Sequence, residues 1–143
     1  MIRLFRPEDT GAVMEIWLAA SLAAHSFIDA SYWHEQFPVV RDVYLPVSRT
    51  FVFTERDHVR GFLSVLDDDT IGALFVAPAW QGRGIGSALL RHVLEMTDVL
   101  TLCVYVENTA ARIFYEKRGF GIVSRRATET GHDEYLMRLV AKS

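Results

Sequence analysis

The chain has 143 residues, half of them hydrophobic and 23% charged, with a formal net charge of −3. That length and balance fit one globular domain spanning 1–143 with its own core, and they exclude a disordered segment. The lack of a basic excess argues against nucleic acid as a partner, and no apolar run reaches the length of a membrane span. Arg3 and Arg6 are followed by no apolar stretch of the kind a signal peptide needs, and the single cysteine, Cys103, excludes an internal disulfide framework and a multi-cysteine metal site. A reducing cytoplasm is the expected location.

Residues 2–6 alternate as a short strand. Pro7-Glu8-Asp9-Thr10 supplies a proline, acidic residues and candidate caps, and Val13, Ile16, Trp17, Ala20 and Ala24 recur at helical spacing, which predicts a helix over 9–24. After a break at His25-Ser26-Phe27, the residues Tyr32, Trp33, Phe37, Val40, Val43 and Tyr44 predict a second helix over 29–45 with a broad apolar face and a kink at Pro38. The period then changes to two. Residues 50–54 and 59–66 read as strands joined through Glu55-Arg56-Asp57-His58, and Asp67-Asp68-Asp69 makes the next turn. The near-continuous apolar run 71–77, ending at Pro78, reads as a buried strand. Ile85, Leu89, Val93 and Met96 mark a third helix, 99–106 a strand, and 108–118 a fourth helix closed by Gly119. Strands at 121–128 and 135–140 complete the order βααβββαβαββ. Hairpins in the first half imply antiparallel pairing, and strand–helix–strand units in the second imply some parallel pairing. The expected fold is α/β, a mixed central sheet with helices on both faces.

The strongest chemical signal is the segment Gln81-Gly82-Arg83-Gly84-Ile85-Gly86-Ser87, where a strand ends, glycine recurs at every second position and a helix begins. Glycines let backbone N–H groups converge without Cβ obstruction, and the helix N-terminus adds unpaired donors and the positive end of its dipole. Together they make an anion site suited to phosphate, to which Arg83 can add a charge. The alternative is a tight strand–helix turn with no ligand. A P-loop is excluded because no lysine ends the turn, and a dinucleotide fingerprint fails because its third glycine would fall on Ser87 or Leu89.

Gln81-Gly82-Arg83-Gly84-Ile85-Gly86, preceded by Phe75-Val76-Ala77-Pro78, resembles the acetyl-CoA signature of the GNAT superfamily of N-acetyltransferases. Asn108-Thr109-Ala110-Ala111-Arg112-Ile113-Phe114-Tyr115-Glu116-Lys117-Arg118-Gly119-Phe120 resembles a second motif of that family, in the family's order and spacing. Ala24-His25-Ser26-Phe27-Ile28, Tyr32-Trp33 and Phe37-Pro38-Val39-Val40-Arg41 resemble its small bacterial members of the YiaC and YjaB type.

The resemblance implies a GNAT-like sheet with a V-shaped splay between the strands at 71–77 and 99–106, and acetyl-CoA as co-substrate. It implies that the backbone of Leu74, Phe75 and Val76 pairs with the pantetheine arm, that Gln81, Gly82, Arg83, Gly84, Ile85, Gly86 and Ser87 hold the pyrophosphate, and that Asn108 bonds the pantetheine region. Asn108 also reads as a helix N-cap. Tyr115 matches the family's general acid, the alternative being a core aromatic on the fourth helix. Cys103 stands where several members carry glutamate and is expected to be a small buried hydrophobe, the alternative being a base if its surroundings lower its pKa. The base is left open, with Glu107, Asp68 or His25 as distant acceptors through water. His25 reads equally as an acceptor-site residue or a structural histidine. Asp67-Asp68-Asp69 reads as a solvated turn, and no metal is expected. The implied activity is direct attack of a primary amine on the thioester, the amine belonging to a protein lysine, an N-terminus or a small molecule. The rival is a non-catalytic acyl-CoA sensor or regulatory module. Nucleic acid and membrane are not expected partners, and the chain is expected to act as a monomer or homodimer.

Overall fold

The computed structural model describes residues 1–141. Seven strands form one sheet in the order β1-β2-β3-β4-β5-β7-β6. They are β1 (Ile2–Leu4), β2 (Arg49–Glu55), β3 (His58–Val65), β4 (Thr70–Val76), β5 (Val99–Tyr105), β6 (Gly121–Arg126) and β7 (Glu134–Val140). The helices are α1 (Thr10–Ala24), α2 (Ala30–Val39), α3 (Leu45–Val47), α4 (Ile85–Leu94) and α5 (Thr109–Lys117). Every strand contact is antiparallel except β4–β5. The mixed sheet expected from the sequence is therefore present, mostly antiparallel, because β7 inserts between β5 and β6.

Period-two alternation sorts side chains to the two faces. Phe51 of β2 and Leu63 of β3 pack with Ile85, Leu89 and Val93 of α4 and with Leu100, Leu102 and Val104 of β5. Their neighbours Val52 and Phe62 point the other way and pack with Val13, Met14, Ile16 and Trp17 of α1 and Trp33 of α2. Helices thus cover both faces, each buried through one apolar stripe.

Local chemistry sets the connections. The β2–β3 turn holds only Arg56 and Asp57 between the paired residues Glu55 and His58, and both have positive φ (51° and 65°), the twist-matched form of a two-residue hairpin. Before α1, Asp9 accepts from the Arg6 backbone at 2.8 Å and forms a forked pair with Arg3 at 2.7 and 3.0 Å, pinning the turn Pro7–Asp9 to β1.

Three expectations are corrected. The second helix is not one regular α-helix: α2 is capped by Asp29, passes through Pro38 and widens into a π-helical turn, Val40–Tyr44, before α3. The wide turn rotates the downstream residues, so Val43 and Tyr44 lie 56% and 53% exposed instead of on an apolar face. Met96 is exposed because α4 ends at Leu94. Strand β4 is buried at Ile71 but only half-buried from Ala73 to Val76. The reason is the pairing of β4 with β5, which consists of Thr70↔Thr101 and Ile71↔Leu102 alone. On its other side β4 pairs Ile71 with Val65 and Ala73 with Ser64, leaving Gly72 as the extra residue of a bulge. A bulge bends its strand. Beyond it β4 stays with β3 and leaves β5, which opens a V in the middle of the sheet.

Candidate active site

The V exposes one backbone edge of β4, where Leu74, Phe75 and Val76 have no strand partner on the β5 side. A cleft of about 510 Å³ follows that edge. Of the residues expected to bind the cofactor, Leu74, Phe75, Val76, Gln81, Gly82, Gly84, Ile85, Gly86, Ser87 and Asn108 all line it, as does Tyr115. Arg83 does not: its guanidinium lies over the Trp80 ring, 4.5 Å from the centroid, alongside Arg60 at 4.3 Å.

The glycines differ in role. Gly82 and Gly84 have φ of 79° and 82°, with Gly84 as the N-cap of α4, so the turn needs the left-handed conformation glycine adopts freely. Gly86 lies within α4, where a Cβ would meet the Phe114 ring at 3.5 Å, an ordinary van der Waals contact, so a methyl fits there and a branched side chain would crowd the cleft. Sequence reasoning missed the cation at this end. Arg118 lines the cleft, donates to the Phe114 carbonyl at 2.8 Å, stacks on the Phe114 ring and bonds the Ser87 hydroxyl. A groove with a free strand edge, a helix N-terminus and a fixed guanidinium matches an elongated ligand that ends in phosphates.

A second cavity of about 240 Å³ continues the cleft on the α1 and α2 side, sharing Leu74, Phe75, Asn108, Ala111 and Tyr115 with the first. Tyr115 is a core aromatic, packed edge-to-face on Phe114 and Phe120, and also a cleft residue. Burial holds its phenol pKa well above the ordinary 10, so the hydroxyl stays protonated.

Asn108 serves as N-cap and as a bridge. Its Oδ1 accepts from the Ala111 backbone at 3.2 Å, and Nδ2 lies 3.2 Å from Nε2 of His25. With Oδ1 assigned to the cap, Nδ2 is the donor and Nε2 the acceptor, which places the histidine proton on Nδ1. His25 is buried, stacked on Trp33 with ring centroids 5.1 Å apart, and burial pushes its pKa down to about 4. It is therefore a neutral residue that positions Asn108.

Of the candidate bases read from the sequence, His25 lines the second cavity, and Glu107 and Asp68 are elsewhere. Glu107 is engaged by His132 at 2.5 Å outside the cleft, and that bond holds its carboxyl below the usual range. Asp68 sits in the exposed β3–β4 turn. Cys103 is exposed and lines the second cavity, contrary to the buried hydrophobe expected, because β5 faces the open V there instead of a packed helix. Partial desolvation of the sulfur against the cavity wall and the nearby Glu134 raise its pKa, so it is a neutral thiol. Glu134, which sequence reasoning also missed, lines this cavity opposite Tyr105. Only the β5–β7 pairing, 29 residues apart in the chain at that rung, brings it in.

The Acetyltransferase (GNAT) domain family matches residues 46–122. The chain is 39% identical over 123 residues to the peptidyl-lysine N-acetyltransferase YiaC of Escherichia coli, covering 86% of this chain and 84% of that protein. It is 36% identical over 125 residues to the peptidyl-lysine N-acetyltransferase YjaB of the same organism, covering 87% and 84%. The solution structure of apo YjaB superposes with a TM-score of 0.86 over 99% of this chain and 98% of that one, at 32% identity. The Salmonella typhimurium acetyltransferase yncA, solved with acetyl-CoA, shares the fold at a TM-score of 0.72 and 21% identity. The chain belongs to the GNAT acetyltransferase family. It is an N-acetyltransferase with acetyl-CoA as co-substrate.

Proposed function

We propose that the chain transfers the acetyl group of acetyl-CoA directly to a lysine side chain of a protein, in the cytoplasm. The observation that carries this reading is the meeting of the two cavities at Asn108 and Tyr115, with the phosphate-type turn on one side and an aromatic-walled pocket on the other. The likeness to two peptidyl-lysine acetyltransferases over most of the chain supports the acceptor class. A protein N-terminus is the second acceptor class, supported by the 43% identity over 74 residues to the N-alpha-acetyltransferase RimI of Mycobacterium tuberculosis.

In this reading acetyl-CoA supplies the activated acetyl thioester. The β4 edge at Leu74–Val76 holds the pantetheine arm and offers a backbone N–H to the acetyl carbonyl, the fixed-donor arrangement that stabilises developing oxyanion charge. The turn from Gln81 to Ser87 and the α4 N-terminus bind the pyrophosphate, with Arg118 adding charge. Asn108 orients the pantetheine region, itself held by the α5 backbone and His25. The amine gives up its ammonium proton to water before it attacks, Tyr115 donates its hydroxyl proton toward the departing sulfur, and the second proton lost by the adduct nitrogen restores the neutral phenol. Transfer by direct attack needs no protein nucleophile, which agrees with a neutral Cys103 thiol.

The test is release of CoA thiol with a panel of lysine peptides, N-terminal peptides and small amines, with products located by mass spectrometry. Acetylation of lysine side chains is expected. Tight acetyl-CoA binding without thiol release to any acceptor would establish the sensor reading instead.

A further inference from the structure

A lysine side chain reaches the enzyme as an ammonium ion at neutral pH, so its cleft needs a group that receives that charge. Among the described residues, Glu134 is the one carboxylate lining either cavity. It sits on β7, the inner strand between β5 and β6, opposite Tyr105 on one side and Arg126 on the other. Its side chain is 17% exposed and lies 2.5 Å from Nε of Arg126, which is 61% exposed. The second nitrogen of that guanidinium donates to the Cys103 sulfur at 3.2 Å.

The asymmetry between the partners is informative. The carboxylate is held at the cleft wall by a strand paired on both edges. Its cation stands in solvent on a long, flexible side chain and reaches in. Ion pairs with so exposed a partner contribute little, so another cation can take Arg126's place readily. Trp17, Trp33 and Phe75 line the same cavity and offer apolar walls for a tetramethylene stem.

We propose that Glu134 is the acceptor-recognition residue: it receives the lysine ammonium in place of Arg126. This specifies the acceptor side of the lysine acetyltransferase reading and rests on it. The groups facing Glu134 are Arg126 from β6 and Cys103 and Tyr105 from β5.

Two dead-end peptides test it. One carries Nε,Nε-dimethyl-lysine, which keeps the cation but is a tertiary amine; the other carries norleucine, which keeps the stem without the charge. Against the wild type, the dimethyl-lysine peptide is expected to compete with the lysine peptide at least tenfold better than the norleucine peptide. Glu134→Gln is expected to shrink that preference below threefold and to raise KM for the lysine peptide at least tenfold, with kcat and acetyl-CoA affinity little changed, the pattern of lost ground-state binding. Equal inhibition by the two peptides in the wild type, or an unchanged acceptor KM in folded Glu134→Gln, removes the proposal and leaves the acetyltransferase reading standing. If Glu134→Gln does not fold, the wild-type inhibitor pair decides alone. A wild type that turns over no acceptor at all removes both.

Discussion

At the scale of single residues, the site depends on keeping two groups in their neutral forms. Tyr115 is a phenol raised in pKa by burial, so it stays a proton donor across the working pH range. Tyr115→Phe keeps the ring packed on Phe114 and Phe120 and removes only the hydroxyl. We expect a melt like the parent's and a fall in kcat and kcat/KM together of about 10²-fold, the lower part of the range for general acid catalysis, with KM for acetyl-CoA unchanged. Steady-state kinetics with a lysine peptide measures this, and a kcat within about twofold of the wild type would return Tyr115 to a packing role. His25 is neutral for the same reason, burial, with a folded pKa of about 4 against an ordinary 6.5. Above pH 6.5 both folded and unfolded states are neutral there. As pH falls from 6.5 toward 4, the unfolded chain takes up a proton that the folded one refuses, so stability drops through that window, by an amount on the order of 3 kcal/mol. Thermal melts of the wild type and His25→Gln between pH 7 and 4 should diverge in slope, the variant lacking this component. Parallel slopes would show that His25 titrates normally in the fold.

At the scale of elements, the decisive piece is the turn from β4 into α4. Its glycines meet two separate demands, left-handed backbone at Gly82 and Gly84 and, at Gly86, a side chain no larger than a methyl beside the Phe114 ring. Gly86→Ala adds only a methyl in ordinary van der Waals contact and is expected to leave binding nearly intact. Gly86→Val adds branches between the Phe114 ring and Val76 and narrows the cleft beside the glycine turn. Its acetyl-CoA affinity should fall at least tenfold, about 1.4 kcal/mol, by calorimetry on the folded variant. Equal affinities for the valine variant and the wild type would move the cofactor away from this turn. Across the cleft, the α1–α2 connection and the start of α2 are tied to the β6–β7 loop: Phe27 packs on His132, and the Tyr32 hydroxyl donates to Glu129 at 2.8 Å.

At the scale of the molecule, the sheet is two halves joined at β4–β5 by two residue pairs, with a helix-covered core on each face. A ligand lying along the V touches β4 and α4 on one half and α5 on the other, so its binding energy adds to the cohesion of the whole fold. At a concentration one hundred times its Kd, acetyl-CoA should stabilise the folded state by about 2.7 kcal/mol. For a chain of this size that corresponds to a rise in Tm of roughly 5–10 °C. Differential scanning calorimetry with and without acetyl-CoA checks this, and an unshifted Tm at saturation would be incompatible with a ligand that binds only the native state.

Much of this was legible in the linear chain, because it rests on local rules. The strand and helix order follows from hydrophobic period and turn chemistry, and the glycine turn and the Asn108–Phe120 segment carry their chemistry in short, contiguous stretches. Tyr115 and Asn108 could be named from the sequence as candidates for that reason, and both line the cleft. What the tertiary structure decided depends on pairing between distant segments. The bulge at Gly72 frees the β4 edge, and the insertion of β7 beside β5 delivers Glu134 to the cleft. Arg118 reaches Ser87 only once α4 and α5 lie side by side. Cys103 is exposed because the sheet splays there, a property of β4 as much as of β5. Strand register and burial are set by the partner as well as by the segment, and no spacing along one segment encodes which partner it will meet.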